Sequence, residues 1–291
     1  MEKMNLKTAL KAGFKCNDNG YFNSFLDNVY ANQMDSKFQK MFNKGSGNEL
    51  HSKAEAIHSS SMLAYNFFHW IDDASGFDYN GINYTNVFFE VRMKTLKNSN
   101  SPANMDIVLS DKEHKHLLFI ESKFTEYCET KKWDLSDSYK NENSFNNDVR
   151  WDEIIKEIKD AVKSSKSCIK QLTTHLFGIA NLCNDEALAW FKKNNILQLE
   201  KPFDVKFINL VFEPQKENFN DEHDDFDKYR TLLENVIKIV DNKIKMEKKS
   251  LKIEFLTYTD LWNLMKNQID KDDLKDYLWQ RYMQFAEGAE R

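Results

Sequence analysis

Two short runs of this sequence carry side chains whose types and spacing could do chemistry. Asp106 lies in Asn104-Met105-Asp106-Ile107-Val108-Leu109, and Glu121 and Lys123 close the run Leu117-Leu118-Phe119-Ile120-Glu121-Ser122-Lys123-Phe124. Both runs are otherwise largely apolar, and the polar stretch Ser110 to Lys115 between them has hairpin length. If the two strands pair antiparallel about a turn centred near Glu113, position 106 falls opposite roughly position 120, and Asp106 comes beside the Glu121 end of its partner. Side chains alternate across a strand, so Glu121 and Lys123 project to one face and Ser122 to the other. Two carboxylates and an ammonium then converge. Hard divalent cations take clustered carboxylate oxygens, and Mg²⁺ commonly takes one or two together with water and phosphate oxygens. A cation held there would polarise a phosphodiester and acidify a bound water, while Lys123 could place that water and offset charge in the transition state. The set is complete for phosphodiester hydrolysis.

The bare pattern of an Asp followed by Asp/Glu-x-Lys is weak in so charged a chain. Glu129-x-Lys131 follows Asp111, and Glu157-x-Lys159 follows Asp137. Neither of those sits on an apolar strand that follows another apolar strand, and that context singles out Glu121-Ser122-Lys123.

The elements that must position these groups can be read around them. Ser46 with Glu49 fits a helix-start capping box, and Leu50, Ala54, Ile57, Ser61, Ala64, Tyr65 and Phe68 recur at helical spacing, predicting one helix to about Trp70. Val87 to Lys94 predicts a strand with Val87, Phe89, Val91 and Met93 on an apolar face and Glu90, Arg92 and Lys94 on a charged one. After the hairpin comes a polar stretch, Glu126 to Lys166, with a helix at Asp152 to Val162. A helix over Ser167 to Leu182 and a buried strand over Asp204 to Phe212 follow. A long helix from about Glu222 to Lys248, a strand at Leu251 to Thr257 and two helices, the first capped by Thr259, complete the chain. Residues 1–45 read as short helical pieces. The core order is helix, three strands, helix, strand, which is not the strict alternation of a doubly wound nucleotide fold, and neither GxGxxG nor GxxxxGK[ST] occurs.

Composition is ordinary for a globular protein. With 41% hydrophobic and 30% charged residues, and only 8 Gly and 3 Pro, long flexible linkers are unexpected. We read one α/β domain over 1–291, with a catalytic core at about 46–213, an N-terminal extension 1–45 and a helical and strand addition 214–291. The four cysteines form no CxxC pair, which speaks against structural zinc. No signal peptide or membrane span is evident, so a cytoplasmic location and no membrane partner are expected. The net charge of −5 does not suit a protein that coats nucleic acid, but leaves a local basic groove open.

The run Asn104-Met105-Asp106 and then, after a turn, Phe119-Ile120-Glu121-Ser122-Lys123, within that order of elements, resembles the PD-(D/E)xK superfamily of restriction-endonuclease-like nucleases. Met105 stands where the motif's name has Pro. Segments Gly47-Asn48-Glu49-Leu50, His58 to Asn66 and Lys170-Gln171-Leu172-Thr173-Thr174-His175 strengthen a similarity to bacterial restriction endonucleases over roughly residues 46–213. The resemblance implies a restriction-endonuclease-like α/β core and Mg²⁺, or Mn²⁺ in its place, bound by Asp106, Glu121, Ser122 and Glu49, with Glu55 a weaker candidate. It implies Lys123 as the catalytic lysine and Gln171 lining the site, with His175 one turn along the same face. The substrate implied is double-stranded DNA, with a homodimer suited to a symmetric site and a cognate methyltransferase as further partners. Two alternatives stand beside this: the same site serving DNA repair or RNA processing, and a catalytically silent nucleic-acid-binding domain. Each residue also has a plainer reading. Glu49 could be a helix cap, Gln171 and His175 a solvated helix face, Lys94 the polar side of its strand, and Lys131, Lys132, Trp133, Lys140 and Arg150 a solvated loop. Trp262, Trp279 and Phe285 read as core or interface.

Overall fold

The computed structural model describes residues 5–45, 50, 53–72, 76–99, 101–126, 135–162, 169–246 and 249–291. The apolar run Leu117-Leu118-Phe119-Ile120 sets the architecture, because four successive apolar residues on a strand need cover on both faces. They lie in β5 (His116–Lys123), the centre of a five-stranded mixed sheet. β3 (Asn86–Met93), β4 (Ala103–Ser110) and β5 run antiparallel to one another in turn, and β6 (Asp204–Val211) and β7 (Lys252–Thr257) extend the sheet in parallel. Helix α3 (Ser60–Phe68) covers one face of β4 and β5, and α5 (Ile169–Asn181) covers the other over β3 and β4. Expected and observed strand positions agree to within a residue or two.

The approach of α5 to the sheet depends on one glycine. A Cβ at Gly178 would lie 2.9 Å from the Cβ of Met93, so only a residue without one lets the helix settle on β3. That close seat brings Gln171 and His175, two turns and one turn earlier on α5, down onto β4 and β5.

Several expectations are corrected. The predicted helix 46–70 is a helix only over α3, with Ser59 as its cap; Ser46 to Glu49 lie outside the described residues. Residues 53–59 form a turn instead, because Ala56 bridges Tyr21, Phe22 N–H donates to the Glu55 carbonyl and Ile57 N–H to that of Gly20. Tertiary pairing overrides the helical spacing there. A hairpin of β1 (Phe77–Tyr79) and β2 (Ile82–Tyr84) precedes β3, turned by Asn80-Gly81 with φ of 51° and 77°. That Asn-Gly pair is a strong hairpin signal that the reading of the sequence missed. Also missed is α6 (Asp185–Asn194), capped by Asn184. The predicted charged face of β3 is covered: Glu90 and Lys94 are buried, Lys94 with its ammonium on the Ser99 carbonyl. β3 is an edge strand, and its edge is partly sealed by Asn195, whose side chain accepts from Arg92 N–H at 2.8 Å and donates to Arg92 O at 2.8 Å.

The helix after β6, α7 (Asn220–Val240), ends eight residues earlier than expected, and its partner is α4 (Trp151–Ala161). The cap of α8 (Tyr258–Met265) is Thr257, not Thr259: Thr257 and Asp260 form a reciprocal capping box, while the Thr259 hydroxyl donates to the Glu287 carbonyl. The chain closes with α9 (Asp272–Arg281). Both ends of the chain meet beside α3. Arg281, fully buried among the rings of Phe14, Phe22 and Tyr282, donates to Asn28 Oδ1 at 2.7 Å and to the Ile57 carbonyl at 2.9 Å. Asn66 on α3 donates to Tyr282 at 2.8 Å and to the Asn28 carbonyl at 3.0 Å. Trp262 is core, and Trp279 and Phe285 pack against it. Near the start of the chain lie α1 (Leu6–Ala12) and α2 (Ser36–Lys44), short pieces as expected.

Candidate active site

Ile107 pairs with Ile120, so the same register continued by one residue sets Asp106 opposite Glu121. Reading the sequence placed the two one residue out of register, because the turn is centred half a residue further along than Glu113. Ser122 N–H donates to Asp106 Oδ2 at 2.8 Å, which fixes the aspartate side chain across the hairpin. Lys123, two residues beyond Glu121 on the same face, donates to Glu121 Oε1 and, at 2.8 Å, to Gln171 Oε1 on α5. The structure therefore brings Asp106, Glu121, Lys123 and Gln171 together. Gln171 is no solvated helix face: its amide oxygen holds the lysine.

His175 is also in this group, and it too is fully buried. Its Nδ1 lies 3.2 Å from Glu121 Oε2, yet neither atom has an aligned hydrogen-bond partner. The Asn104 backbone accepts from the same imidazole. Burial pushes the His175 pKa down to about 4, so the ring is neutral at physiological pH, and the nearby Asp106 carboxylate only partly opposes that shift.

The carboxylates shift the other way. Burial, and then the Glu121 charge beside it, hold Asp106 well above the ordinary aspartate range, although part of its side chain still reaches solvent. Glu121 is raised by burial, against the pull of the Lys123 ammonium. A buried carboxylate and a half-buried one are thus held close together with the Lys123 ammonium on Glu121, and one oxygen, Glu121 Oε2, is sealed from water with no donor aligned on it. An unsatisfied buried anionic oxygen is costly unless something positive faces it. Hard oxygen donors in a pair are the set a divalent cation takes, with water and substrate completing its shell, so these residues fit such an ion. Among the described residues no three His, Cys, Asp or Glu side chains form a closed metal-ligand group.

Ser122 turns its side chain to the opposite face, as strand alternation requires. Its hydroxyl pairs with Tyr258 at the start of α8 at 2.7 Å and reaches the Ser60 carbonyl at 3.4 Å. Only its backbone carbonyl is left to face a cation. Glu49, Lys131, Lys132 and Trp133 lie outside the described residues. Glu55 is in the turn that pairs with the Gly20 to Phe22 segment. Lys140 and Arg150 are exposed, and Arg150 pairs with Glu153.

Two further residues border the site without having been anticipated. Glu126, just past β5, uses Oε2 to accept from the N–H groups of Phe124 and Thr125 at 2.8 and 3.1 Å, and its charge adds to the upward pressure on Glu121. Glu90 stands across from Asp106 where the β3–β4 ladder skips a pair, with φ 51° inside a strand and its carboxylate accepting from Asn104 Nδ2 at 3.2 Å. A non-glycine residue held in the left-handed region costs of order 1–3 kcal/mol, and such residues cluster at functional sites. Nothing in the sequence announces a positive φ at a glutamate.

Over residues 1–283 the chain matches the family described as restriction endonuclease associating with ARP. The chain belongs to this family. No curated protein and no solved structure matches it. Membership points to a nuclease, with DNA as the substrate it implies. No helix among the described residues is long and apolar enough to cross a membrane.

Proposed function

We propose that this protein is a divalent-metal-dependent endonuclease that hydrolyses DNA phosphodiester bonds in the manner of a type II restriction enzyme, at the site formed by Asp106, Glu121 and Lys123. The observation that supports it best is the hairpin register, which sets the half-buried Asp106 beside the buried Glu121, with a lysine held between Glu121 and Gln171. The β3–β4–β5–β6 sheet with α3 and α5 on its faces is then a restriction-endonuclease-like core. A homodimer and a cognate methyltransferase belong to the same reading.

Asp106 and Glu121 would hold the ion, Mg²⁺ or Mn²⁺, with the Ser122 carbonyl and Glu49 as further candidates. When bound, the ion supplies Lewis acidity toward the scissile phosphate and acidifies water in its shell. The chain's own residues do the rest. Lys123, aimed by Gln171, holds a water or a phosphate oxygen at the end of β5 and offsets negative charge that builds there. Ser122 N–H keeps Asp106 turned toward Glu121. Tyr258 and Ser60, by gripping the Ser122 hydroxyl, hold the strand that carries both Glu121 and Lys123.

The test is cleavage of plasmid and phage DNA with Mg²⁺ or Mn²⁺, comparing the wild type with Asp106→Asn and Lys123→Ala. Discrete fragments that disappear in both variants support a site-specific endonuclease. Intact DNA with both ions, alongside cleavage of RNA, would move the same site to an RNA substrate. Cleavage that survives both substitutions overturns the site.

A further inference from the structure

His175 is a core histidine with one ring nitrogen left over. It is fully buried on α5, and its Nδ1 has no hydrogen-bond partner, although a protein interior ordinarily satisfies such an atom. The Asn104 backbone takes a hydrogen bond from the ring. With Nδ1 unpartnered, that contact falls to Nε2, and the tautomer it fixes leaves a lone pair on Nδ1. Nδ1 lies 3.2 Å from Glu121 Oε2, which is likewise buried and unpartnered. Two acceptors therefore stand against each other with no proton aligned between them.

That geometry has a simple interpretation. Two neighbouring ligands of an octahedral ion at about 2.1 Å stand about 3.0 Å apart, and each lies well off the line of the other's lone pair. A direct hydrogen bond would need the opposite, alignment along that line. Asp106 Oδ2 accepts from Ser122 N–H, and the buried atom left without a partner beside Glu121 Oε2 is His175 Nδ1.

We propose that His175 is a nitrogen ligand, through Nδ1, of the divalent ion held by Glu121 and Asp106, so that this site prefers Mn²⁺ or Co²⁺ to Mg²⁺. The inference rests on the metal-dependent reading of the site and adds its ligand chemistry. Imidazole suits the transition ions, whereas Mg²⁺ takes oxygen. The carbonyl on Nε2 is the outer partner by which a ligating histidine is ordinarily oriented.

Mn²⁺ bound to the full chain without DNA, followed by electron paramagnetic resonance, tests this without any activity measurement. Pulsed spectra of the wild type should show coupling to one ¹⁴N nucleus, absent in His175→Leu. The Mn²⁺ Kd should rise at least about 10-fold in that variant, since loss of even an outer partner of a ligand commonly costs that much. The Mg²⁺ Kd should change far less. Circular dichroism establishes that the variant is folded, with His175→Gln as the substitute if it is not. Tight Mn²⁺ binding with no nitrogen coupling in the wild type overturns the histidine ligand and leaves the carboxylate site standing. No binding of Mn²⁺ to the wild type, in contrast, overturns both.

Discussion

Replacing Lys123 by Met in ion-free protein should uncover the charge balance of the site. Lys123 and Glu121 are 7% and 1% exposed, so their ion pair is not screened by water. Breaking a buried pair by removing one partner costs about 3–5 kcal/mol, because the other charge stays behind. Unfolding entropy of about 2.1 cal/mol/K per residue gives about 0.6 kcal/mol/K for 291 residues, so Lys123→Met should lower Tm by about 5–8 °C at pH 8 in chelator. The pH dependence carries more information. Glu121 is already raised by burial, and the lysine is what restrains it, so the substitution raises its folded-state pKa further. A carboxyl raised above its unfolded value contributes stability that is full below the unfolded pKa and is lost as pH rises through the folded one. The deficit of the variant should therefore be largest at alkaline pH and shrink on acidification, as Glu121 takes up a proton. Adding Glu121→Gln to Lys123→Met should restore most of the loss at pH 8. Scanning calorimetry from pH 5 to pH 8 on the four proteins of this cycle measures it. A Lys123→Met protein as stable as wild type at pH 8, or a deficit unchanged by acid and by Glu121→Gln, would refute the buried pair.

Asp106→Asn should stabilise the ion-free protein at pH 8, since burial and the Glu121 charge raise Asp106 well above its ordinary range and its charged form is the costly one. The gain should vanish toward pH 4, where the wild-type group is protonated, and the variant should lose any Tm increase on adding Mg²⁺ or Mn²⁺; thermal melts with and without ion check both. Arg281→Ala removes two hydrogen bonds and contacts with three aromatic rings at the junction of the chain ends, and should cost at least about 3 kcal/mol in urea unfolding. Thr257→Ala should cost about 1 kcal/mol by the same assay, because it dismantles the capping box of α8.

The sequence by itself determined the catalytic strands and their order. Apolar runs 104–109 and 117–124, bounded by a polar turn, are local signals, and period-two alternation alone puts Glu121 and Lys123 on one face with Ser122 on the other. The capping of α8 by Thr257 and Asp260 and the hairpin turn at Asn80-Gly81 are also written locally. What the tertiary structure decided is everything that depends on residues far apart in sequence. The register of β4 on β5 to the residue, the seat of α5 that only Gly178 allows, and the meeting of Gln171 with Lys123 are set by packing. So is the turn at residues 53–59, where pairing with the Gly20 to Phe22 segment defeats a helical spacing that looked sound. The unusual states of the site have the same origin. A neutral His175, two carboxylates held above their ordinary range and a glutamate with positive φ are consequences of desolvation and proximity, and neither quantity exists along a one-dimensional chain.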